Sequence, residues 1–164
     1  MDQKGKLLKG AWVSFRGVST LNLDTKGRFA IPTKYRDRLV DLCASQLVIT
    51  VDKDRCLLIY PEPTWIEIEK KINDLPSFNN ATRILKRLYV GHAHEVEMDG
   101  QGRVLLPPKL RDFAGLAKKV ALVGQGEHLE LWDEERWDQQ RDDWLLNVNF
   151  DELELPPELQ SLTI

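Results

Sequence analysis

Two stretches of this chain repeat the same chemistry-bearing residues at the same spacing. Asp24-Thr25-Lys26-Gly27-Arg28-Phe29-Ala30-Ile31-Pro32-Thr33-Lys34-Tyr35-Arg36 recurs 75 positions later as Asp99-Gly100-Gln101-Gly102-Arg103-Val104-Leu105-Leu106-Pro107-Pro108-Lys109-Leu110-Arg111. The shared residues are Asp, Gly, Arg, Pro, Lys and Arg, whereas the positions between them vary among apolar types. A repeated packing element needs only similar hydrophobicity, but a repeated surface feature needs particular atoms at particular places. Gly27 and Gly102 suit a tight turn that requires positive φ. The arginine after each glycine is then presented near the tip, and Asp24 and Asp99, four residues earlier, are placed to bond turn backbone or to pair with the guanidinium. The motif reads as a rigid turn that aims an arginine. Its planar donor fork can grip a guanine edge or bridge phosphate oxygens, and Lys26 beside Arg28 suits phosphate.

No other grouping points to a reaction. His92, His94 and Glu95 lie far in sequence from the third histidine, His128, and no cysteine accompanies them, so no metal site is expected. Gly124-Gln125-Gly126 lacks the third glycine and following helix of a dinucleotide fingerprint and reads as a turn. Cys43 and Cys56 stand singly in apolar surroundings and read as reduced core residues. No catalytic residue, cofactor or small-molecule substrate is expected, and the chain is not read as an enzyme.

The elements that must position the turns follow from periodicity. The 164 residues carry a net charge of -3, divided unevenly. Residues 1–90 hold 16 Lys+Arg against 10 Asp+Glu, and residues 91–164 hold 7 against 16. A basic half suits a polyanion and an acidic half suits another partner. Val18 to Leu21 predicts a strand entering the Asp24 turn, and Arg28 to Ile31 its return. Thr33 is the expected N-cap of a helix over Lys34 to Leu42. Gln46 to Val51 and Cys56 to Tyr60 predict a hairpin, matched by Val120 to Gly124 and Leu129 to Trp132. Helices are expected from Trp65 to Leu75, from Asn80 to Val90, and after an N-cap at Asp133. Four short strands bury little, so the two repeats are expected to close together into one barrel-like body. No apolar run spans a bilayer and the start lacks a signal peptide's apolar segment, which points to the cytoplasm and away from membranes.

The motifs carry a resemblance. Phe15-Arg16-Gly17, Leu23-Asp24-Thr25-Lys26-Gly27-Arg28, Ile31-Pro32, Gly91-His92-Ala93, Met98-Asp99-Gly100-Gln101-Gly102-Arg103, Leu122-Val123-Gly124-Gln125 and Glu130-Leu131-Trp132-Asp133, in that order, resemble the bacterial MraZ family over Phe15 to about Trp144. The resemblance implies an α+β, strand-rich fold of two internal repeats. These would be tandem AbrB-like (SpoVT-AbrB) units forming a swapped-hairpin or double-split β-barrel with flanking helices. Along the chain the expected division is a flexible basic N-terminal arm over 1–14, which lies ahead of the family likeness, AbrB-like repeats over 15–61 and 92–135, a helical connection over 62–91, and a C-terminal helix with acidic tail over 136–164. The resemblance further implies a nucleoid-associated repressor of its own promoter and of the division and cell-wall gene cluster. That repressor would act as a ring-like homo-oligomer on direct repeats of double-stranded DNA, with Asp24, Arg28, Asp99 and Arg103 as the DNA-binding signature. Repeats spaced near one helical turn, roughly 10 base pairs, would let successive subunits meet one face of the duplex. The charge division, and Gln101 standing where the first repeat has Lys26, single out the first repeat as the main DNA reader. A second reading, an oligomeric protein-interaction scaffold, rests on the acidic second half and on Trp132, Trp137 and Trp144.

Overall fold

The computed structural model describes residues 14–160. The arm expected over 1–14 therefore lies outside the described residues except for Ser14, whose carbonyl accepts from Arg38 Nη1 at 2.9 Å. Strand β1 (Val18–Asn22) leads to β2 (Arg28–Ala30), helix α1 (Thr33–Cys43), the hairpin β3 (Gln46–Val51) and β4 (Leu57–Pro61), and helix α2 (Glu62–Asn73). Helix α3 (Asn80–Leu85) runs into a π-helical turn over Lys86–Val90. The second repeat gives β5 (His94–Glu97), β6 (Arg103–Leu105), α4 (Pro108–Phe113), the hairpin β7 (Lys119–Gly124) and β8 (Leu129–Asp133), and α5 (Glu134–Asn147). A 3₁₀ turn (Phe150–Glu152) and helix α6 (Pro157–Gln160) follow. No described helix is long and apolar enough to cross a membrane.

Both expected hairpins are present, but the strands flanking the Asp24 turn do not pair with each other. β1 pairs antiparallel with β7, and β2 with β6. The second repeat does the reverse, β5 pairing with β3. The six-stranded order β1-β7-β8-β4-β3-β5 is thus a palindrome of the two repeats, with β4 against β8 at its centre. The barrel-like closure expected from strand count is corrected here. Antiparallel sheets form an open six-stranded sheet and a separate two-stranded ladder, because β1 and β5 end as edges at opposite ends of the order.

Burial explains the strand compositions. β3 and β4 are apolar along nearly their whole length because both faces are covered. On one side Leu47, Ile49, Leu57, Ile59, Leu122 and Leu131 pack with α1, α4 and the β2–β6 ladder. On the other, Val48, Leu58, Tyr60, Ala121 and Trp132 pack with α2, the π turn and α5. Thr50, fully buried, satisfies its hydroxyl on the Tyr89 carbonyl at 2.6 Å and so ties the π turn to β3. Helix α1 forms because Tyr35, Leu39 and Cys43, four residues apart, present one apolar stripe to the first core. Its N-cap is Pro32, without a side-chain cap bond, and Thr33 is the first helical residue, which corrects the cap expected at Thr33. Helix α2 likewise begins at Glu62, directly after β4, three residues ahead of the expected Trp65. Asp133 caps α5 as expected, accepting from the Arg136 N–H at 3.4 Å.

Candidate nucleic-acid interface

The two Asp–Arg turns fold identically, bond for bond. In the first, the Asp24 N–H donates to the Arg28 carbonyl at 2.9 Å and the Gly27 N–H to the Asp24 carbonyl at 3.0 Å. Asp24 Oδ1 accepts from the Lys26 and Arg28 backbone N–H groups, both at 2.9 Å, and Oδ2 accepts from Arg28 Nε at 2.7 Å. In the second, Asp99 Oδ1 accepts from the Gln101 and Arg103 N–H groups at 2.9 and 2.8 Å, and Oδ2 from Arg103 Nε at 3.0 Å. Gly27 and Gly102 take φ of +87° and +77°, and both are buried, so the turns admit no ordinary side chain. The Arg28 backbone N–H, opposed by desolvation and reinforced by the Arg28 side chain, lowers the Asp24 carboxyl pKa to about 2. The Arg103 backbone N–H lowers Asp99 in the same way. Both carboxylates are therefore ionised at neutral pH and hold the arginines by Nε.

The strand exchange then brings the turns together. In the β2–β6 ladder Arg28 lies opposite Leu105, Phe29 opposite Val104, and Ala30 opposite Arg103. Phe29 and Val104 are buried, so the alternation turns Arg28, Ala30, Arg103 and Leu105 to the outer face. Arg28 and Arg103 are diagonal neighbours on that face, which an antiparallel ladder sets about 7–8 Å apart. The ladder continues past its strands, the Leu106 N–H reaching the Gly27 carbonyl and the Ile31 N–H the Gly102 carbonyl. From Gly27 to Arg36 the order of buried, half-buried and exposed positions equals that from Gly102 to Arg111.

Arg36 and Arg111, identities of the repeat in the sequence, each approach the turn glycine of the other repeat. The Arg36 guanidinium lies directly over Gly102 of the other repeat, where an added Cβ would stand 2.2 Å from Nε, and its Nε donates to the Ile31 carbonyl at 2.7 Å. Arg111 reaches toward Gly27, with Nη1 3.5 Å from where a Cβ would stand, and its Nε faces the Leu116 carbonyl at 3.4 Å. The only signal for this pairing was the shared 75-residue shift. All four arginines are thus held through Nε, and their terminal amino groups take no partner among the described residues. Arg28 and Arg103 on the ladder face, with Arg36 and Arg111 beside the turn glycines, present guanidinium ends without carboxylate partners that are suited to phosphate and base-edge acceptors.

The remaining expected residues fall elsewhere. Lys26 and Gln101 sit exposed at the turn tips. His128 stacks on Tyr60 with ring centroids 4.7 Å apart, and burial lowers its pKa. His92 and His94 bond to nearby backbone carbonyls, and no group of three or more potential metal ligands occurs among the described residues. Trp132, Trp137 and Trp144 pack on one another, ring centroids 5.7–6.2 Å apart, and join the second core. Trp132 is buried and Trp137 and Trp144 are half-buried, so much of the aromatic surface the scaffold reading relied on is packed within the fold.

The family described as "MraZ protein, putative antitoxin-like" matches residues 14–88 and again 89–152. A protein of Thioalkalivibrio sulfidiphilus named transcriptional regulator MraZ is 61% identical over 130 residues, covering 79% of this chain and 87% of its own. Proteins of the same name from Halorhodospira halophila and Coxiella burnetii are 52% and 48% identical over 151 residues, each covering 92% of this chain and 99% of its own. With one match over each repeat and relatives this similar, the chain belongs to the MraZ family.

Proposed function

We propose that this chain is a sequence-specific DNA-binding transcriptional regulator that represses its own promoter and the division and cell-wall genes downstream. The observation that carries this reading is the ladder face, where two Asp-braced arginines stand side by side with free terminal amino groups. The name transcriptional regulator borne by its relatives supports it. Arg28 and Lys26 are the principal contacts, Asp24 and Asp99 orient the turns, and Arg103 adds the second arm. The exchange of β1, β2, β5 and β6 between repeats supports the finer description as tandem swapped-hairpin units of AbrB type. In this reading the repeats occupy 15–61 and 92–135, joined by the helices over 62–91. The arm over 1–14 and the helix and tail over 136–164 flank them.

One ladder face gives modest affinity, since a good bidentate base contact contributes about 1–3 kcal/mol. A ring-like homo-oligomer presenting several faces to direct repeats multiplies it. This places the protein in the cytoplasm at the nucleoid. A gel shift with the protein's own upstream DNA tests the reading. Arg28→Ala abolishes operator binding at unchanged oligomer size, Arg103→Ala weakens it less, and raised salt weakens the wild type steeply through counterion release. Tight, salt-sensitive binding by Arg28→Ala would overturn the assignment. Loss of the oligomer in both variants would make the turns interface elements instead.

A further inference from the structure

One side chain on the outer face of the β2–β6 ladder is apolar and larger than a methyl group. Arg28 and Ala30 project there from β2, Arg103 and Leu105 from β6. Leu105 is 55% exposed, although Val104 before it and Leu106 after it are buried. The core below the ladder is filled by Phe29 and Val104, and Leu105 takes no part in it. The two ends of the ladder compare position by position at the shift of 75. At one end stand Arg28, Leu105 directly across from it, and Lys26 on the adjoining turn tip. At the other stand Arg103, Ala30 across from it, and Gln101 on the tip. Both arginines are braced alike by their aspartates, so only their companions distinguish the two ends.

Residues directly opposite on one face of an antiparallel pair have Cβ atoms about 4.5–5.5 Å apart, so the Leu105 methyls stand beside whatever Arg28 grips. A two-stranded ribbon fits the major groove of B-DNA. There guanine offers O6 and N7 to an arginine fork, and thymine is marked by a methyl group that apolar side chains read. We infer that Leu105 is a specificity-determining contact, reading the 5-methyl group of a thymine that adjoins the base pair held by Arg28. The inference rests on the regulator reading above and names a second base recognised by the same face. Ala30 ends at its Cβ and makes no equivalent contact beside Arg103. The ladder therefore reads one end of its site more fully than the other, and each protomer lies on DNA in a single direction. Direct repeats require such a direction, whereas a reader with two equal ends suits a palindrome.

Fluorescence anisotropy with the protein's own upstream DNA tests this, each thymine of one repeat being replaced singly by deoxyuridine, which removes the methyl group and nothing else. Wild type loses roughly fourfold in affinity at one thymine, the worth of one buried methyl group. Repeating the scan in a second repeat finds the sensitive thymine on the same side. Leu105→Ala, at wild-type mass by light scattering, binds the thymine and deoxyuridine duplexes equally. Leu105→Met, which keeps an apolar side chain of similar reach, keeps the discrimination. The inference is overturned if wild type is indifferent to every thymine methyl, or if Leu105→Ala retains the fourfold difference. Two sensitive thymines placed symmetrically within one repeat would overturn it as well, and so would loss of the assembly in Leu105→Ala, which would make Leu105 a contact between copies. Absence of any binding by wild type would overturn the regulator reading and the inference with it, whereas binding without thymine dependence overturns the inference alone.

Discussion

Replacing each turn glycine by alanine separates backbone strain from the Arg36 contact that crosses between repeats. Gly27 and Gly102 hold nearly the same positive φ, and forcing an alanine there costs about 1–2 kcal/mol in either turn. The space around them differs. At Gly27 the new methyl meets Arg111 Nη1 at 3.5 Å and the Leu106 carbonyl at 3.9 Å, both ordinary contacts, whereas at Gly102 it would stand 2.2–2.7 Å from Nε, Cζ and Cδ of Arg36. The Arg36 side chain must swing away and give up its 2.7 Å bond to the Ile31 carbonyl. A hydrogen bond to a charged group contributes about 1.5–3 kcal/mol, so Gly102→Ala exceeds Gly27→Ala by that amount. Urea unfolding at one fixed protomer concentration measures both, since self-association shifts apparent stability. In an Arg36→Ala background the excess disappears, and Gly102→Ala falls back to about 1–2 kcal/mol. Equal costs for the two glycines, or an unchanged cost of Gly102→Ala without Arg36, would refute the argument that Arg36 braces the other repeat's turn.

Three further outcomes follow from the same geometry. Asp24, with a folded pKa of about 2 against the usual 3.8, stabilises the fold above pH 3.8 and loses that contribution as pH falls toward 2. A carboxyl NMR titration should place it near the lower value, and titration near 4 would show the turn bonds broken in solution. Burial raises the pKa of Cys43 and Cys56, so the native protein should resist a thiol reagent at pH 8 and the denatured chain react at once; prompt native modification would count against both placements. Residues 14–88 expressed alone leave β1 and β2 without β7 and β6, so that fragment should fold only as a dimer of itself, and a stable folded monomer by light scattering would contradict the exchanged topology.

The turns were legible because all their bonds are local. Asp24 meets Lys26 and Arg28 within four residues, and Gly27 signals the positive φ that brings them there. The β3–β4 and β7–β8 hairpins were legible for the same reason, each an apolar run, a short polar joint and another run. The partners of β1 and β2 were not. Alternation at Val18 to Asn22 announces a strand but carries no mark of which strand lies beside it, and the nearest candidate across the turn is the wrong one. The place of Arg36 was not legible on similar grounds, since a half-exposed helical arginine shows nothing of the glycine from another repeat beneath it. Thr33 has the chemistry of a cap, but Pro32, already extended at ψ 140°, takes the cap position first. The tryptophans of α5 read as a partner surface in the sequence, although aromatic residues in an acidic helix suit a core as well. Only the tilted and edge-on packing against Trp132 shows how far they serve the core.

The ladder of β2 and β6 is three residues deep, too short to hold its register by backbone bonds alone. Its register comes from below and from the ends. Phe29 and Val104 are clamped in the core, where full burial of such a side chain contributes about 1.5–3 kcal/mol each. The carbonyls of Gly27 and Gly102 add a bond at each end. The spacing of Arg28 and Arg103 is therefore a property of the core, indifferent to what sits at the tips. This explains which positions the repeats share. Asp, Gly, Arg and the following Arg fix the turn and its brace and recur in both, whereas the exposed tip is Lys26 in one and Gln101 in the other. A difference in DNA affinity between Arg28 and Arg103 variants would then report what stands beside each arginine, because the geometry of the two arms is the same.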